Sequence, residues 1–464
     1  MKQKDNLKKK YGFVTTTCLI VGAVIGSGIF FMNERIFGYV GGDLHLAVAA
    51  WLIGGAVMFV MMWVWGKLAI GKAGMGGLME YTDDLLGKTY SYYLGWFLGT
   101  ILYPAFVAVL AWITARFVES IFGWGMPNTG GPVWMLAGIF MISIYIMNVI
   151  SPKLAGWFQV STTFIKVVPL VLMGIVGIIV GLANGTTTDN LTFVIPAAED
   201  AINPLFAAII ATVFAYAGSE EVLMMSSEIK DREKNLPKAI IIGSIIIISI
   251  YVLYTIGVFG GADAATLATS GGVREAFVNV FGGLGGTVLT VFIIISCLGA
   301  MNSAMMAGSR AFYALAIRNK GPAPEYVKQV DKKTDMPPTS AALSLLFCGI
   351  IFFVVFANAG DGEYHVSWLG NVNFAVSSLA PISLMGMYIP VFIAVMLKKT
   401  EWNVFNRFIM PGLSLAGAIM MIYMVFYINW IGAMWYLLFF AVIMCIAAIF
   451  LLFNSPDQSK NKKR

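Results

Sequence analysis

Two short stretches carry residues whose types and spacing suit the binding of a small zwitterion. The first is Gly22-Ala23-Val24-Ile25-Gly26-Ser27-Gly28-Ile29-Phe30. Two glycines flank a serine inside an apolar run, so a helix there is easily unwound. Unwinding exposes the amides of Ser27, Gly28 and Ile29 at the start of a half-helix, where N–H donors and the helix dipole together favour an anion such as a carboxylate. The half that precedes the break ends in free carbonyls, which suit an ammonium group. The second stretch is Phe214-Ala215-Tyr216-Ala217-Gly218-Ser219-Glu220-Glu221, which combines another glycine break with two acids. A bland alternative makes Gly22 and Gly26 a small-residue packing face between helices. Two breaks at related positions favour a site.

Single residues in apolar surroundings add to these stretches. Lys166 follows Leu154 by 12 residues, which places it roughly 18 Å into a layer of about 30 Å. A lysine there cannot easily reach water, and an insertion cost of about 2.5–3.5 kcal/mol predicts that it faces the bundle interior with a coupling or ion-replacing role. The alternative is a structural cation bonded to carbonyls. Glu220 and Glu221 fall in the first turn after the second break, where the dipole stabilises acids without any function. That explanation suffices for Glu221, whereas Glu220, next to the break, is the candidate for coupling or substrate contact. Tyr103, before Pro104, is a candidate gate residue, with plain packing as the alternative. Glu228 to Lys238 reads as a solvated charge run at a helix end.

These residues must be positioned by elements that cross a lipid bilayer. Of the 464 residues 59% are hydrophobic and 12% charged, and the mean hydropathy is +0.82, so the chain needs lipid as solvent. Taking about 20 apolar residues per crossing, the spans fall near 12–33, 44–66, 90–120, 131–150, 154–181, 203–227, 239–260, 280–313, 339–357, 371–397, 408–429 and 432–453. The basic residues test this layout, because cytoplasmic loops gather Lys and Arg. They lie on one side for 26 of the 30, which predicts both termini in the cytoplasm and a multi-pass protein of the cell membrane. The net charge of +6 is then a topology signal that needs no nucleic acid. The basic start followed by an apolar run is read as the first span and not as a cleaved signal peptide.

The expected fold is therefore all-α and polytopic, with twelve transmembrane helices in a single domain. The breaks divide it into a tail (1–11), a first five-helix half (12–181), a second five-helix half (203–397), two further helices (408–453) and a second tail (454–464). Each half opens on a broken span, the pattern expected of an inverted repeat with a site at mid-membrane depth. Enzyme chemistry is disfavoured: the two histidines, His45 and His365, fall at or beyond external span ends, and no Cys, His and acid cluster has catalytic or metal spacing. Cys18, Cys297, Cys348 and Cys445 lie far apart within spans, so no disulfide framework, metal or cofactor is expected. A channel is disfavoured because no loop resembles a repeated selectivity filter.

At these residues the chain resembles the amino acid–polyamine–organocation permeases, from about Tyr11 to about Lys399. The resemblance rests on Gly26 to Phe30, on Gly76-Gly77-Leu78-Met79-Glu80-Tyr81, and on the Phe214 to Gly218 break. It continues through Glu228-Ile229-Lys230-Asp231 and Leu236-Pro237-Lys238-Ala239-Ile240 to Ser296-Cys297-Leu298-Gly299-Ala300-Met301-Asn302 and Ser309-Arg310. It implies the leucine-transporter type of five-plus-five fold, alternating access, and an amino-acid site between the first and sixth spans. By resemblance, Ser27 and Gly28 hold the α-carboxylate, carbonyls of Val24, Phe214 and Ala217 hold the α-amino group, Phe214 forms a lid, and Gly26 and Gly218 complete the substrate-binding set. Lys166 matches a fifth-span lysine that stands where sodium sits in sodium-coupled relatives, which implies sodium independence. Asn302 joins Lys166, Glu220 and Tyr103 in the coupling and gating set.

Tyr81-Thr82-Asp83-Asp84 and Asn302 look closest to the L-type and bacterial serine/threonine exchangers, which implies exchange of neutral amino acids. Glu220 departs from those exchangers toward the arginine/agmatine antiporters, whereas Ala304 stands where the antiporters carry a tryptophan. A proton-coupled symporter, a cationic permease and a non-transporting amino-acid sensor are the competing expectations, with the proton as the further partner besides amino acid and lipid.

Overall fold

Once water is absent, backbone N–H and C=O groups can be satisfied only within a helix or a closed barrel, and the aliphatic runs of this chain take the helical solution. The computed structural model describes residues 9–26, 28–70, 77–125, 130–192, 203–269, 271–356, 376–428 and 430–453. The first span is split into α1 (Phe13–Val24) and α2 (Gly28–Tyr39), bent by 42°. α3 (Leu44–Ala69) follows, then α4 (Leu78–Leu86) and α5 (Lys88–Phe97), which runs through a π-helical turn at Leu98–Leu102 into α6 (Tyr103–Phe122). α7 (Gly131–Ile150), α8 (Pro152–Ala183) and the short α9 (Thr186–Thr192) complete the first half.

The second half again opens on a divided span, α10 (Pro204–Tyr216) and α11 (Glu221–Met224), followed by α12 (Arg232–Gly261), α13 (Ala264–Leu267) and α14 (Gly272–Phe281). α15 (Gly285–Ala316), α16 (Pro324–Val327), α17 (Pro338–Phe356) and α18 (Val376–Lys398) come next, and α19 (Met410–Ile428) and α20 (Trp430–Phe453) end the described chain. Among the described residues ten helical stretches are long and apolar enough to cross a membrane, and the bent pair α1 and α2 makes an eleventh. α17 takes the place of the ninth expected span.

Local signals explain where the helices begin. Asp43 accepts from the Leu46 amide at 3.0 Å, and Ser151 from the Leu154 amide at 3.2 Å with Pro152 next in line. Asn203 caps α10 in the same way, again with proline following. Each such cap contributes about 1 kcal/mol. Close packing then follows from glycine. A Cβ on Gly177 would lie 2.2 Å from the carbonyl oxygen of Gly257, and one on Gly181 would lie 2.5 Å from the Cα of Gly260. α8 and α12 therefore touch backbone to backbone, the small-residue packing typical of membrane helices. The outer surface is apolar, with Ile142, Phe164, Ile175, Leu438 and Ile449 exposed where lipid covers them.

On the face that carries most of the Lys and Arg, the chain is strapped shut. The Lys10 and Tyr11 amides donate to the Glu228 carbonyl at 2.7 and 3.0 Å, and the Lys230 amide donates to the Tyr11 carbonyl at 2.8 Å. The Glu228 carboxylate accepts from the Arg310 guanidinium at 2.8 and 3.2 Å, both side chains being buried. The expectation of a solvated run from Glu228 to Lys238 holds for Lys230, Asp231, Glu233, Lys234 and Lys238, which are exposed, and is corrected for Glu228, which is buried. Glu228 is interior because α15 delivers an arginine to it, and residues 232–238 form the first turns of α12 around Pro237.

Candidate functional site

Four carbonyls at the end of a helix have no partner within it, and the end of α1 shows where they go. The Lys166 Nζ, reaching across from α8, donates to the carbonyls of Gly22 at 2.6 Å and Ile25 at 2.5 Å, and lies 3.5 Å from the Ser296 carbonyl. The Ile25 carbonyl also accepts from the Ser296 hydroxyl at 3.2 Å. The Val24 carbonyl accepts from the Gly26 amide at 2.8 Å and from the Tyr251 hydroxyl at 3.1 Å. The Ala23 carbonyl faces the second break, 3.1 Å from where a Cβ on Gly218 would sit. The ammonium group that the free carbonyls of α1 were expected to attract is thus in part the chain's own.

The glycines of the first break each face a different neighbour. A Cβ on Gly22 would lie 2.1 Å from the Thr163 hydroxyl oxygen, one on Gly26 would lie 3.3 Å from the Ala300 Cβ, and one on Gly28 would lie 2.8 Å from the Ala215 Cα. The packing explanation is met, Gly22 seating α1 on α8 and Gly28 seating the start of α2 on the end of α10. Ser27 lies outside the described residues. The Gly28 and Ile29 amides stand at the N-terminus of α2, a helix of 12 residues.

In the second break Gly218 takes φ +101°, a conformation that favours glycine. The Ala217 amide reaches back to the Phe214 carbonyl at 3.4 Å, and the Ala215 carbonyl accepts from the Tyr251 hydroxyl at 3.0 Å. Phe214 and Ala217 are half-buried. The two acids point to different sides of the break. Glu220 accepts from the Gly218 amide at 3.2 Å and lines a cavity of about 50 Å³ among Met58, Met61, Met385 and Tyr388, on the α3, α18 and α19 side. Glu221 lies on the α1 and α15 side, near Ser303, where it and Lys166 act on each other electrostatically, and one of its carboxylate oxygens has no hydrogen-bond partner among the described residues.

The remaining expected residues fall into two groups. Tyr103 is fully buried where the π-helical turn ends, a feature frequent at functional sites. Its hydroxyl has no partner among the described residues, and it shares the field of Glu220 with Tyr388. Asn302 stands apart from the breaks in a chain of three buried amides, accepting from Asn148 at 2.9 Å and donating to the Gln159 side chain at 3.0 Å. Gln159 in turn abuts Gly22, its Nε2 being 2.5 Å from a Cβ placed there. Asn302 thus reaches α1 through α8.

Beyond the residues expected from sequence, Tyr251 bonds to carbonyls at both breaks, Tyr388 lines the cavity beside Glu220, and Glu221 lies in the field of Lys166. The available signal for Tyr251 was a group of hydroxyl side chains, Tyr251, Tyr254 and Thr255, in an aliphatic run.

A helical bundle with two broken spans whose breaks lie beside a buried lysine has the architecture of the leucine-transporter fold type. The solved structure of MhsT in complex with L-phenylalanine has that fold in common with this chain, with a TM-score of 0.61 at 16% identity over 92% of this chain and 99% of that one. The sequence matches the amino acid permease family over residues 11–464, and the chain belongs to that family of membrane transporters. The serine/threonine exchanger SteT of Bacillus subtilis is 29% identical over 364 residues, 76% of this chain and 79% of that protein. The large neutral amino acids transporter small subunit 2 of Oryctolagus cuniculus is 26% identical over 376 residues, 79% of this chain and 68% of that protein. The likeness to these relatives supports amino-acid transport by this chain, and its activity is transport, not catalysis.

Proposed function

We propose that this permease exchanges neutral amino acids across the cell membrane without sodium, by alternating access around the two breaks, with both termini in the cytoplasm. The observation that carries sodium independence is the Lys166 ammonium, fixed among the carbonyls of Gly22, Ile25 and Ser296. Oxygen ligands gathered from the ends of broken helices are what a coupling cation takes in such folds, and here a tethered cation takes them permanently. A substrate carboxylate then meets the N-terminus of α2 at Ser27 and Gly28. Its ammonium group meets the second break, where Phe214 and Ala217 offer carbonyls beside Gly218. The Val24 carbonyl, already shared between Gly26 and Tyr251, contributes less. The likeness to a serine/threonine exchanger and to a large neutral amino acids transporter favours neutral side chains.

A second reading, proton symport, is favoured by Glu221, an interior acid with an oxygen that has no hydrogen-bond partner among the described residues. Uptake of labelled amino acids into proteoliposomes decides between them. The expected result is uptake that needs internal amino acid, is the same in sodium and in choline, and ignores a pH gradient. Uptake into empty vesicles that follows an inward proton gradient establishes symport instead. Absence of flux for every amino acid, in reconstituted protein shown to be folded, overturns transport altogether.

A further inference from the structure

Between the end of α3, the short α4 and the turn that follows α18 lies a cavity of about 170 Å³, lined by Lys67, Tyr81, Asp84, Lys399, Glu401 and Trp402. None of these residues belongs to either break. The walls are pinned: Lys398 donates to the Leu85 carbonyl of α4 at 2.6 Å, Arg407 to the Met396 carbonyl of α18 at 2.8 Å, and the Trp63 indole of α3 to Asn406 at 2.9 Å. The cavity sits where two spans end in basic residues, Lys67 in the last turn of α3 and Lys398 in that of α18. Ile70 at its edge and Phe405 and Phe408 on the following turn are exposed. Basic side chains and aromatic rings gather in this way at the level of lipid headgroups.

Two ammonium groups and two carboxylates make the charged lining formally neutral. Lys399 lies 3.6 Å from Glu401 and 5.9 Å from the centre of the Trp402 ring. An ion pair this open to solvent contributes little, so a ligand carrying the same two charges readily replaces it. A lone anion would face the acids and a lone cation the lysines. A molecule with one phosphate and one primary ammonium satisfies both, and a quaternary ammonium has no N–H to give the carboxylates. We propose that this cavity binds the phosphoethanolamine headgroup of a phospholipid, with phosphate on Lys67 and Lys399 and ammonium on Asp84 and Glu401, and that its occupancy sets the rate of the transport cycle.

The link to the second break is α4. Tyr81 donates its hydroxyl to Ser226, two residues beyond α11, at 2.9 Å. Gly77, at the start of α4 with φ +52°, lies so near that a Cβ there would meet the Leu223 carbonyl oxygen at 2.6 Å. A headgroup that holds α4 therefore holds the segment after the break. This second clause of the proposal rests on the reading that the chain transports amino acids.

The binding test is native mass spectrometry of the purified full chain, given equal parts of phosphatidylethanolamine, phosphatidylcholine and phosphatidylglycerol. The parent is expected to retain phosphatidylethanolamine about tenfold over either competitor, and Lys67→Gln with Lys399→Gln to lose that retention about tenfold, as two lysines facing a phosphate imply. In Asp84→Asn with Glu401→Gln the lysines stay and the acids go, so preference should pass to phosphatidylglycerol. Equal retention of the three lipids by the parent, or a preference for phosphatidylethanolamine that survives in the acid variant, overturns the site. A thermal melt raised by soluble glycerophosphoethanolamine, with no lipid retained, overturns the membrane as the source of the ligand. Should the double variants not fold, Glu401→Gln alone, at an exposed position, should move the preference about threefold toward phosphatidylglycerol; no movement overturns the site.

The rate is read by uptake into vesicles of phosphatidylcholine alone and of equal parts phosphatidylcholine and phosphatidylethanolamine. The parent is expected to run about fivefold faster in the second. Tyr81→Phe should keep the retained lipid and lose the acceleration, because the ring stays while the bond to Ser226 goes. Equal rates for the parent overturn the regulation, and acceleration that persists in Tyr81→Phe overturns the route through Ser226. If the parent moves no amino acid, the functional reading fails, and the retained lipid still decides the site.

Discussion

The two breaks differ in how completely the chain satisfies them. At the first, Lys166 and Tyr251 between them take the carbonyls of Gly22, Val24 and Ile25. At the second, the Gly218 amide is held by Glu220, while Glu221 keeps one oxygen without a hydrogen-bond partner among the described residues. A buried polar group that is fully bonded is rigid, and one that is partly bonded is where a ligand or a proton has something to gain. On the proposed function, the first break is then the preorganised half of the site and the second its responsive half.

The largest effect is expected from Lys166→Ala. It strips an ammonium from two carbonyls of the first break, and a buried acceptor left without its donor costs about 1–3 kcal/mol. Uptake should fall by more than about a hundredfold while the purified protein remains monodisperse in size-exclusion chromatography. Wild-type kinetics would remove Lys166 from the mechanism and the contrast between the breaks with it.

Gly28→Val comes next. Its Cβ would meet the Ala215 Cα at 2.8 Å, so α2 must back away from α10. A KM rise of about thirtyfold is expected. If the KM is unaltered, the close approach of the two breaks does not shape the substrate site.

The acids sharpen the comparison. Glu221→Gln keeps the shape but removes the titratable carboxyl that interacts with Lys166, and uptake should slow about tenfold. Glu220→Gln should slow it only about threefold, because a glutamine oxygen can still accept from the Gly218 amide. The reverse order would move the responsive group to the methionine-lined side of the break.

The smallest effect is expected from Tyr103→Phe. Its hydroxyl has no partner among the described residues, and loss of an unbonded hydroxyl costs nothing in hydrogen bonding. Uptake within about twofold of the parent is expected. A larger fall would show that the hydroxyl finds Glu220 or Tyr388 in another state of the cycle.

Much of the fold was legible because lipid imposes one rule along the whole chain. Apolar runs of spanning length gave the helices, and glycines in the wrong place for a continuous helix gave Gly26 to Gly28 and Gly218 as breaks. Lys166 was legible for the same reason, since a charge at that depth has few permitted surroundings. Glu228 was misread because a charge run looks solvated until the residue across from it is known, and Arg310 lies far away in sequence. Asn302 was placed by resemblance in the gating set, whereas its bonding to Asn148 and Gln159 depends on three helices meeting.

The sequence by itself determined that the chain crosses the membrane repeatedly, which loops are basic, and where its helices must break. Those properties follow from hydropathy, charge and backbone freedom, which are local. Only the tertiary structure decided that the Lys166 ammonium lies on α1 carbonyls, that Tyr251 joins both breaks, and that Glu220 and Glu221 face opposite sides. Those are questions of direction and partner between residues far apart in the chain. A helix reports its partners only once the others are packed around it.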